Sequence, residues 1–375
     1  MILLNPGPVN LSDGVRQALA GPDLCHREAE FGELQETIRR GLLAVYGLAP
    51  EQWAAVLLSG SGTAAMEAMM TSLIPRRGKV LVVENGVYGE RLSAIAKIHN
   101  IPLQALHYDW GGSIDLHDLD RRLDADRAIT QVALVHHETT TGLLNPLREV
   151  GELCRARGIG VLVDGVSSFA GEELDFAGWG IAACAGTANK CLHGVPGLAF
   201  VLVRRDLLPG TEDNPQRTLY LDLARYCREQ DARGTPFTPS VQAFYALAQA
   251  LRELAEQGGW RPRHEHYRRL AQQVRQGLGR LGIRPLLPEQ ATSVVLGAFY
   301  LPDHVNYAQL HDGLKRRGFV IYAGQGALAR NIFRVSTMGA INAADMERFL
   351  SAMEEILTEQ REESAGQQKT RNANL

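Results

Sequence analysis

Short apolar runs alternate with amphipathic stretches between about residues 50 and 205, and this alternation restricts the possible folds more than any other feature. Seven runs have the length and composition of strands: 54–58, 79–83, 103–108, 131–136, 160–164, 181–185 and 197–203. Stretches 62–73, 89–99 and 147–157, which lie between the earlier runs, predict helices. This order predicts an α/β fold with a seven-stranded, mostly parallel sheet covered by helices on both faces. Only a short loop separates the last two runs, so we expect one of them to be antiparallel.

The second half of the chain has a different pattern. Residues 209–239 are polar and rich in proline and glycine, and predict a surface loop. Helices at 240–257 and 264–281 precede a compact α+β pattern: strand 293–300, helix 307–317, strands 319–321 and 332–335, and helix 343–360. We therefore expect a large domain over 1–255 and a smaller α+β domain over 256–360. Residues 1–30 are expected to pack with the small domain, and the polar tail 361–375 to be disordered.

Charge and cysteine content narrow the function classes. The formal net charge is −3 over 375 residues, which gives no reason to expect a nucleic-acid partner. The basic residues Arg261, Arg263, Arg268 and Arg269 are interpreted as a solvated helix face. Five cysteines without a CxxC pair favour a reducing compartment. The chain has no 18-residue apolar run, and its start lacks a basic segment followed by an apolar one, so we expect a cytoplasmic protein without a membrane span.

Three features in chain order indicate a chemistry. Residues 59–63 (Ser-Gly-Ser-Gly-Thr) follow the first predicted strand and open a helix, which is a favourable place for an anion. Asp164 ends an apolar strand, and Lys190 lies in a stretch with little other charge. Together they offer a phosphate cradle, a carboxylate for a pyridinium nitrogen and an amine that can form an imine. A pyridoxal-phosphate enzyme needs these parts.

Each of the three features also has an ordinary structural explanation. Residues 59–63 could be a plain helix cap, Asp164 could cap a helix or form a salt bridge, and Lys190 could face solvent. Their order along the chain, each beside a predicted strand end, favours the functional interpretation because ligands gather at the carboxyl ends of strands in such sheets.

Other candidates follow strands of the same sheet. Tyr88 could stack on a planar ring or lie in a surface turn. His136, His137 and Glu138 suggest a metal site, but adjacent side chains on a strand point to opposite faces, so we expect no metal. The hydroxyl of Thr139 is the better candidate there, near a ring or a phosphate.

In the predicted small domain, Arg334 stands on a strand. A guanidinium there could hold a carboxylate or a phosphonate through two hydrogen bonds, or it could be an ordinary surface arginine.

Five segments carry a family resemblance: 4–8 (Leu-Asn-Pro-Gly-Pro), 60–63, 85–91 (Asn-Gly-Val-Tyr-Gly-Glu-Arg), 137–142 (His-Glu-Thr-Thr-Thr-Gly) and 188–197 (Ala-Asn-Lys-Cys-Leu-His-Gly-Val-Pro-Gly). From residue 4 to about residue 357 the chain resembles the class V aminotransferases of fold type I. Within that class it is most similar to the 2-aminoethylphosphonate transaminases.

The resemblance implies pyridoxal 5'-phosphate, a homodimer with shared active sites, and amino exchange between 2-aminoethylphosphonate and pyruvate, which gives phosphonoacetaldehyde and alanine, in either direction. It also implies residue roles. Lys190 would hold the cofactor covalently and Asp164 would pair with its ring nitrogen. The remaining cofactor-binding positions would be Ser61, Gly62, Thr63, Tyr88, Thr139, Val166, Asn189 and, reaching the other subunit's phosphate, Thr238. Gly7 and Arg334 would bind substrate.

Other functions remain as alternatives. Residues 22–31 contain a His-Arg pair and resemble the alanine–glyoxylate relatives, so an alanine/serine–glyoxylate aminotransferase is the main alternative. A cysteine desulfurase would need a cysteine in the C-terminal part, whereas the last one is Cys227, and Tyr88 holds the stacking position where such enzymes usually have a histidine. A non-catalytic protein on this scaffold is disfavoured by the presence of Lys190. A nicotinamide-dependent dehydrogenase is disfavoured because no GxGxxG follows the first strand.

Overall fold

A computed structural model describes residues 1–208, 216–303 and 305–373, with side chains as far as residue 360. The strands are β1 (Ile2–Leu3), β2 (Trp53–Ser59), β3 (Lys79–Glu84), β4 (Leu103–His107), β5 (Ile129–Val135), β6 (His137–Glu138), β7 (Leu143–Leu144), β8 (Gly160–Asp164), β9 (Ile181–Thr187), β10 (Leu198–Arg204), β11 (Leu296–Tyr300), β12 (Phe319–Val320), β13 (Tyr322–Ala323) and β14 (Ile332–Ser336). The α-helices are α1 (Asp13–Ala18), α2 (Ala29–Ala44), α3 (Gly62–Leu73), α4 (Val87–Ile98), α5 (Leu116–Ala125), α6 (Leu147–Arg155), α7 (Leu223–Asp231), α8 (Val241–Glu256), α9 (Trp260–Arg280), α10 (Tyr307–Arg316) and α11 (Ala343–Ala373).

Seven strands form the central sheet in the order β2-β10-β9-β8-β5-β3-β4. Strand β10 runs antiparallel to both neighbours, and the other pairs are parallel. This confirms the predicted α/β class and the single reversed strand. Strands β9 and β8 are buried along almost their whole length, because apolar cores cover both faces of the sheet.

A separate core lies in the C-terminal part. The sheet β11-β14-β13 packs against α9, α10 and α11 around buried residues such as Phe333 and Phe349. The start of the chain joins this part: Ile2 and Leu3 pair in parallel with β12, and Leu4 is buried in the same core. The first residues therefore leave the C-terminal part and run toward the edge of the large sheet.

The region predicted as a surface loop contains a helix. Within 209–239, residues 209–215 lie outside the described part, but Leu223–Asp231 forms α7, capped by the side chain of Asp222. Its buried Gln230 hydrogen-bonds the backbone N–H and carbonyl of Leu57 on the edge strand β2. The prolines and glycines around it hid the helical spacing of its buried residues, and covering the sheet edge is a tertiary role that local sequence does not show.

Two helices are longer than their sequence patterns suggest. Helix α9 begins at Trp260, four residues before the predicted start, because a proline such as Pro262 is tolerated in a first helical turn. Helix α11 continues through Ala373, across most of the segment expected to be disordered, and this stretch contains Ala, Arg, Glu and Gln, which favour helix. Arg263 is only 4% exposed, so its assignment to a solvated face is wrong.

No helix in the described ranges is both long enough and apolar enough to cross a membrane.

Candidate active site

Neighbouring strand ends bring the candidate residues to one edge of the sheet. Strand β8 ends at Asp164, and it lies between β9, which leads into the loop of Lys190, and β5, which leads into Thr139. Carboxyl ends of parallel strands meet at the same edge. Asp164 and Arg334 are both close enough to Lys190 to affect its titration.

Asp164 is a buried acid without a cationic partner among the described hydrogen bonds. Asp164 is only 2% exposed, and its Oδ1 accepts one hydrogen bond, from the N–H of Val166 at 2.9 Å. Burial raises the pKa of Asp164 to about 7. A buried carboxylate is costly unless a positive group pairs with it. A protonated ring nitrogen is such a group.

The end of the Lys190 side chain lies under the N-terminal segment, in a narrow space formed by Pro6 and Gly7 that we call the seat of its amine. Burial lowers the pKa of its amine to about 8, and Nζ donates a hydrogen bond to the carbonyl of Pro6. The next residue, Gly7, has φ +110°, and a Cβ there would lie 2.7 Å from the Lys190 Nζ. Only glycine fits this position, because both the backbone conformation and the space exclude a side chain.

The segment before α3 forms a close-packed cradle. Gly62 is the first residue of α3, and a Cβ there would lie 2.7 Å from Cγ2 of Val166. Ser61 precedes the helix in an extended conformation without a side-chain capping bond, so its hydroxyl leaves the first N–H groups of α3 free for a ligand. The hydroxyl of Thr63 accepts a 3.4 Å hydrogen bond from Arg91. A helix N-terminus with a nearby guanidinium suits a phosphate group.

Glu138 organises the position of Tyr88, a role that sequence reasoning missed. Glu138 is fully buried, and its Oε2 accepts from the backbone N–H groups of Tyr88 and Gly89, both at 3.2 Å. It therefore caps the start of α4, where the preceding residue is Gly86, which has no capping side chain. One feature of the sequence indicates such a role: Gly86, which precedes α4, has no side chain that could cap this helix. Tyr88 in turn lies 4.7 Å from the guanidinium carbon of Arg91.

Arg334 is buried, so it is not an ordinary surface arginine. It is 2% exposed on β14; Nη1 donates to the carbonyl of Thr139 at 2.9 Å and Nε to that of Ala323 at 3.0 Å. Burial lowers its pKa. Its Nη2 has no hydrogen-bond partner in the part of the chain that the structure describes, and neither has the buried hydroxyl of Thr139.

The structure also locates Thr238, Asn189 and the two histidines that were considered as metal ligands. Thr238 is exposed, and its loop lies beside Ser59, whose hydroxyl accepts from the N–H of Ser240 at 3.2 Å. A contact with a second subunit stays a prediction. Asn189 accepts a 2.8 Å hydrogen bond from Thr187. No group of side chains suited to a metal occurs among the described residues, and burial lowers the pKa values of His136 and His137 to about 4.

The donor set fits pyridoxal phosphate. It contains a buried acid without a cation at Asp164, a partly buried amine with a lowered pKa at Lys190, an open helix N-terminus at residues 61–63, and an unsatisfied hydroxyl at Thr139. Each would gain a partner from one part of the cofactor.

Comparisons with known proteins agree with this chemistry. The family model described as aminotransferase class-V matches residues 17–349. A 2-aminoethylphosphonate–pyruvate transaminase from Vibrio cholerae serotype O1 is 38% identical over 361 residues, which cover 95% of this chain and 97% of that protein. The crystal structure of an aspartate aminotransferase of subgroup IV from Thermus thermophilus is 30% identical, with a TM-score of 0.87 and coverage of 96% and 99%. An alanine–glyoxylate aminotransferase from Nostoc sp. is 27% identical, with a TM-score of 0.88 and coverage of 95% of both chains.

Proposed function

This chain belongs to the class-V aminotransferase family and has its fold type I architecture, and we propose that it exchanges an amino group between 2-aminoethylphosphonate and pyruvate. The products are phosphonoacetaldehyde and L-alanine, or the reaction runs in reverse. The observation that carries the proposal is the buried Arg334, whose charge acts on the Lys190 amine, in a chain 38% identical to a transaminase named for this substrate pair.

We assign the cofactor contacts from the donor set. Lys190 would hold pyridoxal phosphate, Asp164 would pair with its ring nitrogen, and residues 61–63 would take its phosphate. Tyr88 would lie on the ring face and Thr139 beside the ring hydroxyl, with Val166 and Asn189 completing the wall. When bound, the cofactor supplies a carbonyl carbon for amine exchange and a ring that accepts an electron pair.

Lys190 moves the proton in this proposal. A pKa of about 8 leaves a useful fraction of the amine neutral near neutral pH, so Nζ can take a proton from the carbon that bears the amino group and return it. The Pro6 carbonyl accepts from Nζ and so directs the amine. With the cofactor bound, Asp164 would keep a proton on the ring nitrogen, because its buried carboxylate has no other cation to pair with among the described residues.

One site must hold a phosphonate in one half-reaction and a carboxylate in the other. Both are anions with terminal oxygens. Arg334 has two nitrogens fixed by Thr139 and Ala323, which leaves Nη2 to donate to either anion. The backbone around Gly7 closes the same space without a side chain. A fixed, buried guanidinium is a stronger anion ligand than a solvated one, because water competes less.

A substrate panel tests the proposal. Formation of alanine from pyruvate is followed with 2-aminoethylphosphonate, serine, β-alanine and taurine as donors, and transfer from alanine or serine to glyoxylate is followed separately. We expect the highest kcat/KM with 2-aminoethylphosphonate and pyruvate. An aminocarboxylate that exceeds it about tenfold, a difference of roughly 1.4 kcal/mol, would assign the chain to the alanine/serine–glyoxylate type, which residues 22–31 favour.

We also propose that the active unit is a homodimer with shared sites. Thr238 supports this, because it is exposed in a loop bounded by Pro236 and Pro239, and has no hydrogen bond to the described part of its own chain.

A further inference from the structure

One face of helix α9 contacts the loops that carry the reacting groups. Trp260, Arg263, His264 and Tyr267 follow the spacing of a single helix face, and we refer to these four residues as the α9 stripe. The stripe lies against two segments of the large domain: the turn after Asp164 and the loop that follows Lys190.

Arg263 fixes the backbone immediately after Lys190. Its Nη1 donates to the carbonyl of Cys191 at 2.8 Å, and Nη2 donates to Oε1 of Gln257 at 2.5 Å. Arg263 is 4% exposed and has no carboxylate partner among the described ion pairs. Burying a guanidinium is unfavourable unless its N–H groups are used, so these two hydrogen bonds hold both partners in place.

Tyr267 fixes the same loop two residues further on. Its hydroxyl lies 2.5 Å from Nε2 of His193, and the backbone N–H of Gly339 donates to this nitrogen at 3.0 Å. A backbone N–H can only donate, so Nε2 accepts and the ring proton resides on Nδ1. Burial lowers the pKa of His193 well below its ordinary value, which keeps the ring neutral. His193 has φ +64°, a conformation that costs energy in a histidine and needs such support.

His264 fixes the other segment. Its Nδ1 lies 2.9 Å from the carbonyl of Gly171 and 3.4 Å from Oε2 of Glu172. The carboxylate of Glu172 also accepts from the hydroxyl of Ser293 and the N–H of Val294, on the segment that leads into β11. The α9 stripe therefore joins the turn after Asp164, the Lys190 loop and the C-terminal part.

We propose that Arg263 and Tyr267 are positioning residues, which hold the 190–193 backbone so that the Lys190 amine stays between the Pro6 carbonyl and Gly7. This rests on the proposed function only in taking Lys190 as the reacting amine. Within the loop itself, the described backbone bonds are His193 N–H to the Lys190 carbonyl and Gly194 N–H to the Ala188 carbonyl. These bonds close the turn on itself, whereas Arg263 and Tyr267 fix it relative to the rest of the protein.

The proposal predicts a change in the amine of Lys190 without any substrate. Burial lowers the Lys190 pKa, and Cys191, Asp164 and Arg334 are the charged or titratable groups that also affect it. A looser loop would let water reach Nζ, which would raise the pKa toward the ordinary lysine value. A contact that only stabilised the fold would lower the melting temperature and leave this pKa unchanged.

The experiment measures acetylation of Lys190 by acetic anhydride in the cofactor-free protein across a pH series, with the Lys190 peptide quantified by mass spectrometry. The variants are Tyr267→Phe, which removes only a hydroxyl, and Arg263→Lys. The matched controls are Tyr108→Phe, whose hydroxyl bonds the Asp115 carbonyl at 3.3 Å, and Arg275→Lys, whose guanidinium bonds the Leu287 carbonyl at 3.3 Å.

We expect the labelling midpoint to rise by about half a pH unit or more in both test variants and to stay unchanged in both controls. A wild-type midpoint in Tyr267→Phe, or an equal rise in the controls, would overturn the proposal. Because Tyr267→Phe keeps the buried ring, it gives the answer even if Arg263→Lys does not fold. Cofactor and substrates are absent, so this result is independent of the outcome of the substrate panel.

Discussion

The guanidinium of Arg334 donates a 2.9 Å hydrogen bond to the carbonyl of Thr139, a residue 195 positions earlier in the chain. This bond ties a strand of the C-terminal part to the turn after β6, and it holds a buried cation close enough to the Lys190 amine to lower its pKa. The substrate anion in our proposal is therefore held by one part of the protein while the proton is moved by another.

Arg334→Lys should raise KM for both 2-aminoethylphosphonate and pyruvate. The lysine keeps the charge but loses the planar fork, so it cannot hold the Thr139 and Ala323 carbonyls and an anion together. We expect an increase of about tenfold or more in each KM, the equivalent of roughly 1.4 kcal/mol or more. Steady-state kinetics with each substrate varied in turn measure this. Arg275→Lys, on α9, is the control, and a KM change confined to one substrate would contradict a shared anion site.

Asp164→Asn should reduce kcat far more than it weakens cofactor binding. The variant keeps the shape but cannot hold a proton on the ring nitrogen by charge. A loss of roughly 3 kcal/mol of stabilisation in the transition state lowers the rate about a hundredfold. Single-turnover rates, measured beside a cofactor titration, separate the two effects. A variant within threefold of the wild-type rate would exclude Asp164 from the proposed role.

The cofactor-free protein should lose stability as the pH rises from about 4 to about 7. Burial raises the pKa of Asp164 from 3.8 to about 7, so between these values the folded state binds more protons than the unfolded state. The slope of unfolding free energy against pH is then negative for this group. Urea unfolding of wild type and Asp164→Asn across this pH range isolates the contribution of Asp164 to the unfolding free energy, because the other titrating groups are common to both proteins. Equal slopes in the two proteins would contradict the expectation.

Lys190→Ala should abolish turnover while the protein stays folded. The alanine removes the only amine in the seat formed by Pro6 and Gly7 in the described structure, and leaves the backbone of the loop as it was. Borohydride reduction of the wild type with pyridoxal phosphate, followed by peptide mapping, should place the label on Lys190. Label on another lysine, or no visible absorption band after the cofactor is added, would refute the assignment.

Mixing Lys190→Ala with Thr238→Ala should restore part of the activity that each variant has lost. If Thr238 completes the site of the other subunit, one of the two sites in a mixed dimer is intact. Co-expression with two different affinity tags allows purification of the mixed dimer, and its activity is compared with those of the parents. A fully active monomer in sedimentation would refute shared sites.

The sequence predicted the parts of this molecule that depend on local pattern. Strand β8 and helix α3 have the predicted bounds, because an apolar run and an amphipathic period are properties of neighbouring residues. The short loop between β9 and β10 predicted that one of these two strands is reversed, and the structure shows that it is β10. Asp164 and Lys190 could be placed near each other because both follow strands of one sheet.

Contacts between distant segments could not be predicted in this way. Helix α7 was hidden among prolines and glycines, and its position depends on the bond from Gln230 to the sheet edge. In the sequence, Glu138 was considered only as a metal ligand, a role that was disfavoured. In the structure it caps α4, which begins about 50 residues earlier in the chain. Arg263 was taken for a solvated residue because its neighbours Arg261, Arg268 and Arg269 suggested one. Its burial depends on the carbonyl of Cys191, 72 residues earlier.

The pairing of β1 with β12 also has a consequence for the order in which the chain is made. The backbone of Ile2 to Leu4 bonds Gly318 and Val320, and the Leu4 carbonyl accepts from Ser336, so these residues find their partners only after residues 318–336 have been made. The Pro6 carbonyl and Gly7 follow directly after this anchored segment. All strands of the large sheet precede β12 in the chain, whereas the seat of the Lys190 amine is closed only after β12 has been made. Closure of this seat is thus coupled to synthesis of β12 and β14, and a nascent fragment ending before β12 has the lysine but not its seat.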